Sequence, residues 1–206
     1  MRGGAIPNAI DVMATVRILV IPGSLRTGSL NARLAAAAID DLIRADANVT
    51  RLSLLDFPLP IYDGDMEAQT GVPKPAIDLK RMMAAHDGVL LVTPEYNSSL
   101  PPLVKNTIDW ISRVQDPGER RGQVFHDRPF AIAAASSGRL GGTRCLEALR
   151  LVLSACGATV IPNQLALSFA DRAYDETDRL KHPADIAALQ TMTRKLIEFA
   201  QQMKWR

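Results

Sequence analysis

Five apolar runs alternate with helical patterns along nearly the whole chain, and this alternation constrains the fold more than any other feature. The runs cover residues 16–21, 49–54, 88–93, 130–135 and a fifth strand that begins within 158–162. Short apolar runs between helical segments are typical of βαβ units, whose crossovers are right-handed and whose strands are parallel. The sequence therefore predicts an α/β fold in which helices cover both faces of one parallel sheet.

The helical patterns and the segments between them define the domain organisation. Helices are predicted over residues 30–45, 75–85, 103–113, 142–156 and 186–203. Residues 56–74 contain several prolines and glycines and predict a long loop, which in a compact domain is more often functional or interfacial than filler. Residues 1–15 lack the pattern of a signal peptide and predict a flexible tail, whereas 16–206 are predicted to form a single domain.

Charge and composition exclude several classes of protein. The chain carries 24 basic and 22 acidic residues, a net charge of +2, and so lacks the basic field typical of nucleic-acid-binding proteins. No apolar stretch reaches the roughly 20 residues that cross a bilayer. The histidines have no metal-ligand spacing, and Cys145 and Cys156 are predicted about 16 Å apart on one helix, too far for a disulfide. We expect a cytoplasmic protein that binds no metal, nucleic acid or membrane.

The segment after the first strand has the chemistry of a phosphate site. Residues 23–31 read Gly-Ser-Leu-Arg-Thr-Gly-Ser-Leu-Asn and lead into the first helix. The first N–H groups of a helix lack internal partners, and the helix dipole favours an anion there. Ser24, Ser29 and Asn31 add donors, and Arg26 adds a cation with fork geometry. The ordinary alternative is a helix N-terminus capped by a serine.

The kind of phosphate can be narrowed by what the motif lacks. No Gly-Lys-Ser/Thr follows, so this is not a Walker loop, and the Gly-x-Gly-x-x-Gly pattern of dinucleotide sites is absent. A turn that relies on hydroxyl groups rather than glycines suits the terminal monophosphate of a mononucleotide.

Two further polar loops follow the third and fourth predicted strands. In the first, Pro94 holds the chain extended, Tyr96 offers an aromatic surface and a hydroxyl, and Asn97 can donate and accept. The second, residues 136–142, is rich in glycine; either loop could also be an ordinary turn. Ligands of parallel sheets bind beyond the carboxyl ends of the strands. The loops together predict a cleft with a phosphate end and a planar, hydrogen-bonding end, which flavin mononucleotide (FMN) fits.

Four motifs in register resemble the family of NAD(P)H-dependent FMN reductases, which includes quinone, chromate and azo-dye reductases. The motifs are residues 23–31, Pro-Glu-Tyr-Asn at 94–97, Pro-Leu-Val-Lys-Asn-Thr-Ile-Asp-Trp at 102–110 and Ser-Ser-Gly-Arg-Leu-Gly-Gly at 136–142. The resemblance spans roughly residues 16–165. It implies a flavodoxin-like three-layer sandwich with a five-stranded parallel sheet in the order 2-1-3-4-5.

The resemblance also implies which residues bind FMN. The residues expected at the phosphate are Ser24, Arg26, Ser29, Leu30 and Asn31. Those expected along the ribityl chain and the isoalloxazine edge are Pro94, Glu95, Tyr96 and Asn97. Those expected on the opposite side of the flavin are Ser136, Ser137, Gly138 and Gly141. The flavin carries the chemistry, so no catalytic side chain and no metal ion are expected.

The implied activity is that of an oxidoreductase. NADPH or NADH gives a hydride to flavin N5, and electrons then pass to a quinone, a free flavin, an azo compound or a metal oxyanion such as chromate. The resemblance further implies a homodimer or homotetramer with the active site near the subunit boundary. The guanidinium of Arg139 suits the 2′-phosphate of NADPH, although an ordinary solvated arginine is an equal alternative.

Two other function classes stay open at this point. A flavodoxin-type electron carrier binds FMN without nicotinamide turnover, but such carriers tend to be strongly acidic, which a net charge of +2 argues against. A binding or regulatory module could use the same fold without redox turnover.

Overall fold

The computed structural model describes residues 15–126 and 128–204, so all of the predicted tail except Thr15 lies outside the described residues. Within those residues, six strands form one parallel sheet in the order β2-β1-β3-β4-β5, and β6 also pairs with β4. The strands are β1 (Arg17–Pro22), β2 (Asn48–Arg51), β3 (Gly88–Val92), β4 (Pro129–Ala135), β5 (Thr159–Val160) and β6 (Leu165–Leu167). This order confirms the flavodoxin-like topology.

Helices cover both faces of the sheet, as the alternation of apolar runs predicts. They are α1 (Leu30–Arg44), α2 (Gly64–Thr70), α3 (Lys74–Ala84), α4 (Pro102–Arg113), α5 (Gln123–His126), α6 (Thr143–Ala155) and α7 (Pro183–Lys204). Because side chains of a strand alternate between faces, Ile18 of β1 lies in one core and Leu19 in the other. Helices α1 and α7 close the first core, and α3, α4 and α6 close the second. The result is a three-layer sandwich.

The prediction of a loop over residues 56–74 was wrong. The segment contains α2, which begins after Asp63, whose carboxylate accepts hydrogen bonds from the N–H groups of Asp65 and Met66 at 2.8 and 3.2 Å. A short 3₁₀ turn, Leu54–Asp56, precedes it, so β2 ends at Arg51 instead of at residue 54. Helix α2 buries none of its residues, and it therefore lacks the apolar periodicity by which a helix is recognised.

Helix α4 holds this segment in place. The indole Nε1 of Trp110 and the Nδ2 of Asn106 both donate to the carbonyl oxygen of Pro60, at 2.7 and 2.8 Å. The Oδ1 of Asn106 accepts from the N–H of Tyr62 at 2.8 Å, and the Tyr62 ring meets that of Trp110 edge-on, with centroids 5.0 Å apart. The proline-rich segment is thus fastened to the domain by hydrogen bonds to its backbone.

The fifth predicted strand is divided into two short strands, β5 and β6. They pair with the start and the end of β4, on the edge opposite β3. Between them lies Pro162, which has no N–H to donate to a ladder. The guanidinium of Arg150 fills the gap by donating to the carbonyl oxygens of Val160 and Ile161, at 3.1 and 3.0 Å, and to Oε1 of Gln164 at 2.9 Å. The sheet therefore has six strands in five positions.

Candidate functional site

The loops that follow β1, β3 and β4 meet at the carboxyl edge of the sheet and enclose an open cleft. The space that it encloses, together with the adjoining open solvent, is about 530 Å³. The lining residues are Ser24, Arg26, Ser29, Leu30, Asn31, Pro94, Glu95, Tyr96, Ala135, Ser136 and Ser137. All of them except Ala135 belong to the set predicted from the sequence to bind FMN, whereas Asn97, Gly138 and Gly141 lie outside the lining.

The first turn of α1 offers unused backbone donors to the cleft. Ser29 caps the helix, since its Oγ accepts from the N–H of Ala32 at 3.3 Å. The N–H groups of Gly28, Leu30 and Asn31 donate to no acceptor among the described residues. Donors of this kind at a helix N-terminus, in the positive end of the helix dipole, form an anion site.

Arg26 supplies the positive charge of this loop. Its backbone N–H donates to Oγ of Ser24 at 3.4 Å, and its side chain is exposed. The guanidinium makes no ion pair or hydrogen bond with any described residue, so it stays available to a ligand. A guanidinium, unpaired N–H groups and serine hydroxyls form a donor set that fits a phosphate monoester.

The side chain of Asn31 joins two walls of the cleft. Its Nδ2 donates to the carbonyl oxygen of Ala135 at 2.9 Å, and its Oδ1 accepts from the N–H of Ala135 at 2.8 Å. The Asn31 side chain is buried, and the two bonds tie the start of α1 to the end of β4. A phosphate contact from Asn31 stays a prediction, to which the backbone N–H is better suited than the amide.

The loop after β3 contains a tight two-residue turn. Tyr96 and Ser99 exchange two backbone hydrogen bonds, at 2.9 and 3.1 Å, around Asn97 and Ser98. Both central residues have positive φ, 49° and 66°, as in a type I′ turn. Asn97 is thus placed by turn chemistry and lies outside the lining, whereas the half-exposed ring of Tyr96 stands at the rim.

Glu95 links this loop to α6. Its Oε2 accepts from the backbone N–H of Cys145 at 3.2 Å, and its Oε1 accepts from Nε of Arg144 at 2.9 Å and from a second nitrogen of the same guanidinium. The residue at the N-cap position of α6 is Gly142, which has no side chain to cap with, so Glu95 performs that role from a different loop. This partnership was missed at the sequence level; the glycine just before the helix was the available signal.

Cys145 lies beside the cleft but is not equipped as a nucleophile. The pKa of its thiol is raised to about 11, chiefly by burial and in smaller part by the charge of Glu95, while a hydrogen bond with Thr93 opposes the shift. The Sγ donates to the carbonyl oxygen of Pro94 at 3.2 Å. A protonated, buried thiol is inert, so Cys145 packs beneath the loop.

The glycines of the loop after β4 serve packing. Gly141 has a φ of +62°, and a Cβ there would lie 2.6 Å from the carbonyl oxygen of Ala166 in β6. Gly142 has a φ of +93°, and its Cβ would lie 2.5 Å from that of Ala134. The N–H of Gly138 donates to Oγ of Ser136 at 3.1 Å. Close approach to β4 and β6 therefore accounts for the paired glycines.

Residues 15–126 and 128–204 contain no group of three His, Cys, Asp or Glu side chains placed to bind a metal ion. None of the helices in these ranges combines the length and apolarity that a bilayer crossing needs.

Similarities to known proteins bear on this cleft. The sequence profile of the family described as "NADPH-dependent FMN reductase" matches residues 16–172, which include all three loops. A quinone reductase of Escherichia coli (strain K12) is 37% identical over 147 residues, 71% of this chain and 73% of that protein. An NAD(P)H-dependent FMN reductase of Pseudomonas aeruginosa is 35% identical over 167 residues, 80% of this chain and 84% of that protein.

A solved flavoenzyme has the same architecture. The structure of FerB, an NAD(P)H:(acceptor) oxidoreductase of Paracoccus denitrificans, aligns with a TM-score of 0.75 and 25% sequence identity. The alignment covers 92% of this chain and 99% of that one.

Proposed function

This chain belongs to the family of NADPH-dependent FMN reductases, and on that premise we propose that it holds FMN in the cleft at the carboxyl edge of the sheet and reduces quinones with electrons from NADPH or NADH. It is an oxidoreductase. The site is assigned chiefly from the donor set of the β1–α1 loop. Arg26, Leu30 and Asn31 line the same cleft, and neither the Arg26 guanidinium nor the N–H groups of Leu30 and Asn31 have a partner among the described residues.

The chain's own residues bind and orient the cofactor. Arg26, the hydroxyl of Ser24 and the first N–H groups of α1 hold the phosphate, and the loops after β3 and β4 flank the remainder. The two hydrogen bonds between the Asn31 side chain and the backbone of Ala135 fix the distance between the β1–α1 loop and the loop after β4. The loop after β3 is held against α6, because Glu95 accepts a hydrogen bond from the backbone N–H of Cys145.

Bound FMN supplies the two-electron chemistry, since it accepts a hydride from NAD(P)H and returns electrons to an acceptor. Backbone groups can stabilise the charge that results. The N–H group of Ser137, which lines the cleft, donates to no acceptor among the described residues, and a fixed dipole of this kind would stabilise negative charge on a bound ligand as an oxyanion hole does.

A quinone is the acceptor that the relatives favour, since the similar protein of Escherichia coli is a quinone reductase. An open cleft also admits other flat or small oxidants, so free flavins, azo compounds and chromate are further acceptors to test. The electron-carrier alternative is disfavoured by the net charge of +2, which would not steer the protein toward a basic partner.

A homodimer or homotetramer and a cytoplasmic location stay predictions. The surface offers one feature that a subunit contact would explain. The side chain of Leu55, just before the 56–74 segment, is 69% exposed, and that of Ile61, within it, is 74% exposed. Burying such apolar side chains against a second subunit would stabilise an interface.

An anaerobic absorbance titration tests the proposed function. The FMN-loaded protein is titrated with NADPH and then with NADH, and benzoquinone is added afterwards; FMN without protein serves as the control. We expect the flavin band to bleach with at least one nucleotide and to return with the quinone. A bound flavin that neither nucleotide bleaches would support the electron carrier instead, and a protein that binds no flavin would contradict the proposal.

A further inference from the structure

An aromatic ring is held in an unusual backbone conformation at the edge of the cleft. Phe169, two residues after β6, has a φ of 47°, a region that bulky residues rarely adopt. Its N–H donates to the carbonyl oxygen of Gly138 at 3.2 Å, and its own carbonyl oxygen accepts from the N–H of Arg172 at 3.0 Å. The side chain is nevertheless 40% exposed, so burial of the ring does not account for the strained conformation.

Two arginines accompany this ring. The guanidinium of Arg172 lies 4.5 Å from the centroid of the Phe169 ring, in a cation–π contact. The backbone of Arg139 is joined to the same segment, since its carbonyl oxygen accepts from Oγ of Ser168 at 2.7 Å. Both arginine side chains are exposed, and neither pairs with a carboxylate of the described residues. We call Arg139, Phe169 and Arg172 the arginine–phenylalanine rim.

Unlike the two arginines of this rim, several arginines of the described residues have a carboxylate partner. Arg17, Arg113 and Arg144 each pair with an acidic side chain at 2.9 Å or less. Guanidinium groups that have no carboxylate partner in the described part of the chain, next to an exposed aromatic ring, leave both an anion-binding and a stacking surface open to solvent.

The rim is continuous with the cleft. Ser136 and Ser137 line the cleft, and Gly138, which follows directly, is bonded to the backbone of Phe169. The N–H of Ala170 also donates to the carbonyl oxygen of Ser136 at 3.0 Å. A ligand that reaches from the cleft toward solvent on this side would therefore meet the rim.

We propose that the arginine–phenylalanine rim binds the adenosine 2′-phosphate end of NADPH and thereby makes the protein prefer NADPH to NADH. The adenine stacks on the Phe169–Arg172 pair, and the guanidinium groups of Arg139 and Arg172 contact the 2′-phosphate. The inference rests on the proposed function. If the nicotinamide of NADPH binds in the cleft beside FMN, the adenosine half of the same molecule must bind outside the cleft.

The chemistry of the rim matches the adenosine 2′-phosphate half of NADPH. Adenine presents a flat π-face to an aromatic ring or a guanidinium plane. The 2′-phosphate is the one group that NADPH has and NADH lacks, and paired guanidinium donors bind phosphate by charge-assisted hydrogen bonds. A rim with one arginine and no aromatic ring would serve a phosphate without selecting an adenosine.

Equilibrium binding of redox-inactive fragments tests this assignment apart from turnover. Adenosine 2′,5′-bisphosphate and 5′-AMP are titrated by calorimetry into the FMN-loaded protein. We expect the bisphosphate to bind about tenfold more tightly or better. The double variant Arg139→Gln, Arg172→Gln should lose that difference while its affinity for 5′-AMP changes little.

A variant of the ring separates stacking from charge. Phe169→Gly removes the aromatic surface and suits the observed φ, so the turn is kept, and both fragments should bind several-fold more weakly. The matched control is Arg194→Gln on α7, an exposed arginine that shares a surface depression with Asp41 and Arg44 at the far end of α1. It should leave both affinities unchanged.

The outcomes distinguish the inference from the proposed function. Equal binding of the two fragments by the unmodified protein, or a preference that survives in the double variant, would overturn the role of the rim. Bleaching of the flavin by NADH in the same preparation would leave the proposed function standing in either case. If inorganic phosphate displaced the bisphosphate at equal concentration, the rim would be a general anion site and the assignment to adenosine would fail.

Discussion

Oε2 of Glu95 accepts a hydrogen bond from the backbone N–H of Cys145 at 3.2 Å, so a residue from the loop after β3 caps the helix that follows β4. The contact places a carboxylate at the positive end of the α6 dipole. Arg144 of the same helix pairs with the other carboxylate oxygen of Glu95. The loop after β3 is therefore fixed relative to the start of α6, which follows the loop after β4.

Removing this cap should destabilise the fold. In Glu95→Ala the buried N–H of Cys145 loses its acceptor, and we expect the free energy of unfolding to fall by about 2 kcal/mol. Glu95→Gln keeps one acceptor and should lose less. Urea denaturation measures both, with Glu147→Gln, an exposed glutamate of α6, as the control. A Glu95→Ala protein as stable as the control would show that the cap contributes nothing.

The affinity for FMN should depend on Arg26. Arg26→Ala removes a charge-assisted contact with the phosphate, worth about 1.5–3 kcal/mol, which corresponds to roughly 10- to 150-fold in Kd. Arg26→Lys should recover part of the loss, because the charge returns without the fork geometry. Quenching of FMN fluorescence reports the Kd, and Arg44→Ala at the other end of α1 is the control. An unchanged Kd for FMN in Arg26→Ala would contradict the assignment of the phosphate to this loop.

Two glycines with similar backbone angles should respond differently to alanine. Gly28 and Gly141 have φ values of +70° and +62°, but a Cβ at Gly28 meets nothing within 4 Å whereas one at Gly141 meets the Ala166 carbonyl oxygen at 2.6 Å. Gly28→Ala should therefore cost about 1 kcal/mol of unfolding free energy, from the backbone angle alone. Gly141→Ala should cost about 2–4 kcal/mol, because β6 must shift as well. Equal losses in thermal or urea unfolding without FMN would contradict the close approach.

Stability at acid pH should depend on Asp87. Burial by itself raises the pKa of this carboxyl, but hydrogen bonds from the side chain and N–H of Arg17 outweigh it, and the pKa is lowered from its ordinary value of 3.8. A lowered pKa stabilises the fold above the ordinary value, and this stabilisation is lost as the pH falls through the folded-state pKa.

The test is the unfolding free energy from pH 7 to pH 2.5. We expect Asp87→Asn to be less stable at neutral pH and to lose less stability than the unmodified protein below about pH 4. Asp40→Asn, at an exposed position of α1, should keep the original acid profile. Parallel profiles for Asp87→Asn and the unmodified protein would rule out the linkage.

Burial decided which strands and helices could be predicted from the sequence. Every residue of β3 and β4 is buried, so both strands stand out as continuous apolar runs. The edge strand β2 has no buried residue in the structure, and its predicted bounds, 49–54, begin one residue late and end three residues late. Helix α2 escaped prediction for the same reason, because an element that buries nothing leaves no periodic signal.

The loops of the cleft could be predicted, but their mutual contacts could not. Parallel topology brings the loops after β1, β3 and β4 to one edge, and the sequence motifs mark all three. The partners of Asn31 and Glu95 lie 104 and 50 residues away. Such pairings depend on the final packing of separate elements. A glycine at the N-cap position, such as Gly142, indicates only that a cap must come from elsewhere.

The hydrogen bonds that Arg150 donates between β5 and β6 affect how this edge of the sheet behaves when protein molecules meet at high concentration. An uninterrupted outer strand presents a row of free N–H and C=O groups onto which a second chain can extend the sheet. Here the outermost strands on that side have two and three residues, Pro162 separates them, and a guanidinium occupies the carbonyl oxygens at the break. The sheet thus ends in a margin too short and too irregular to template cross-β growth, which protects the protein from aggregation through this edge.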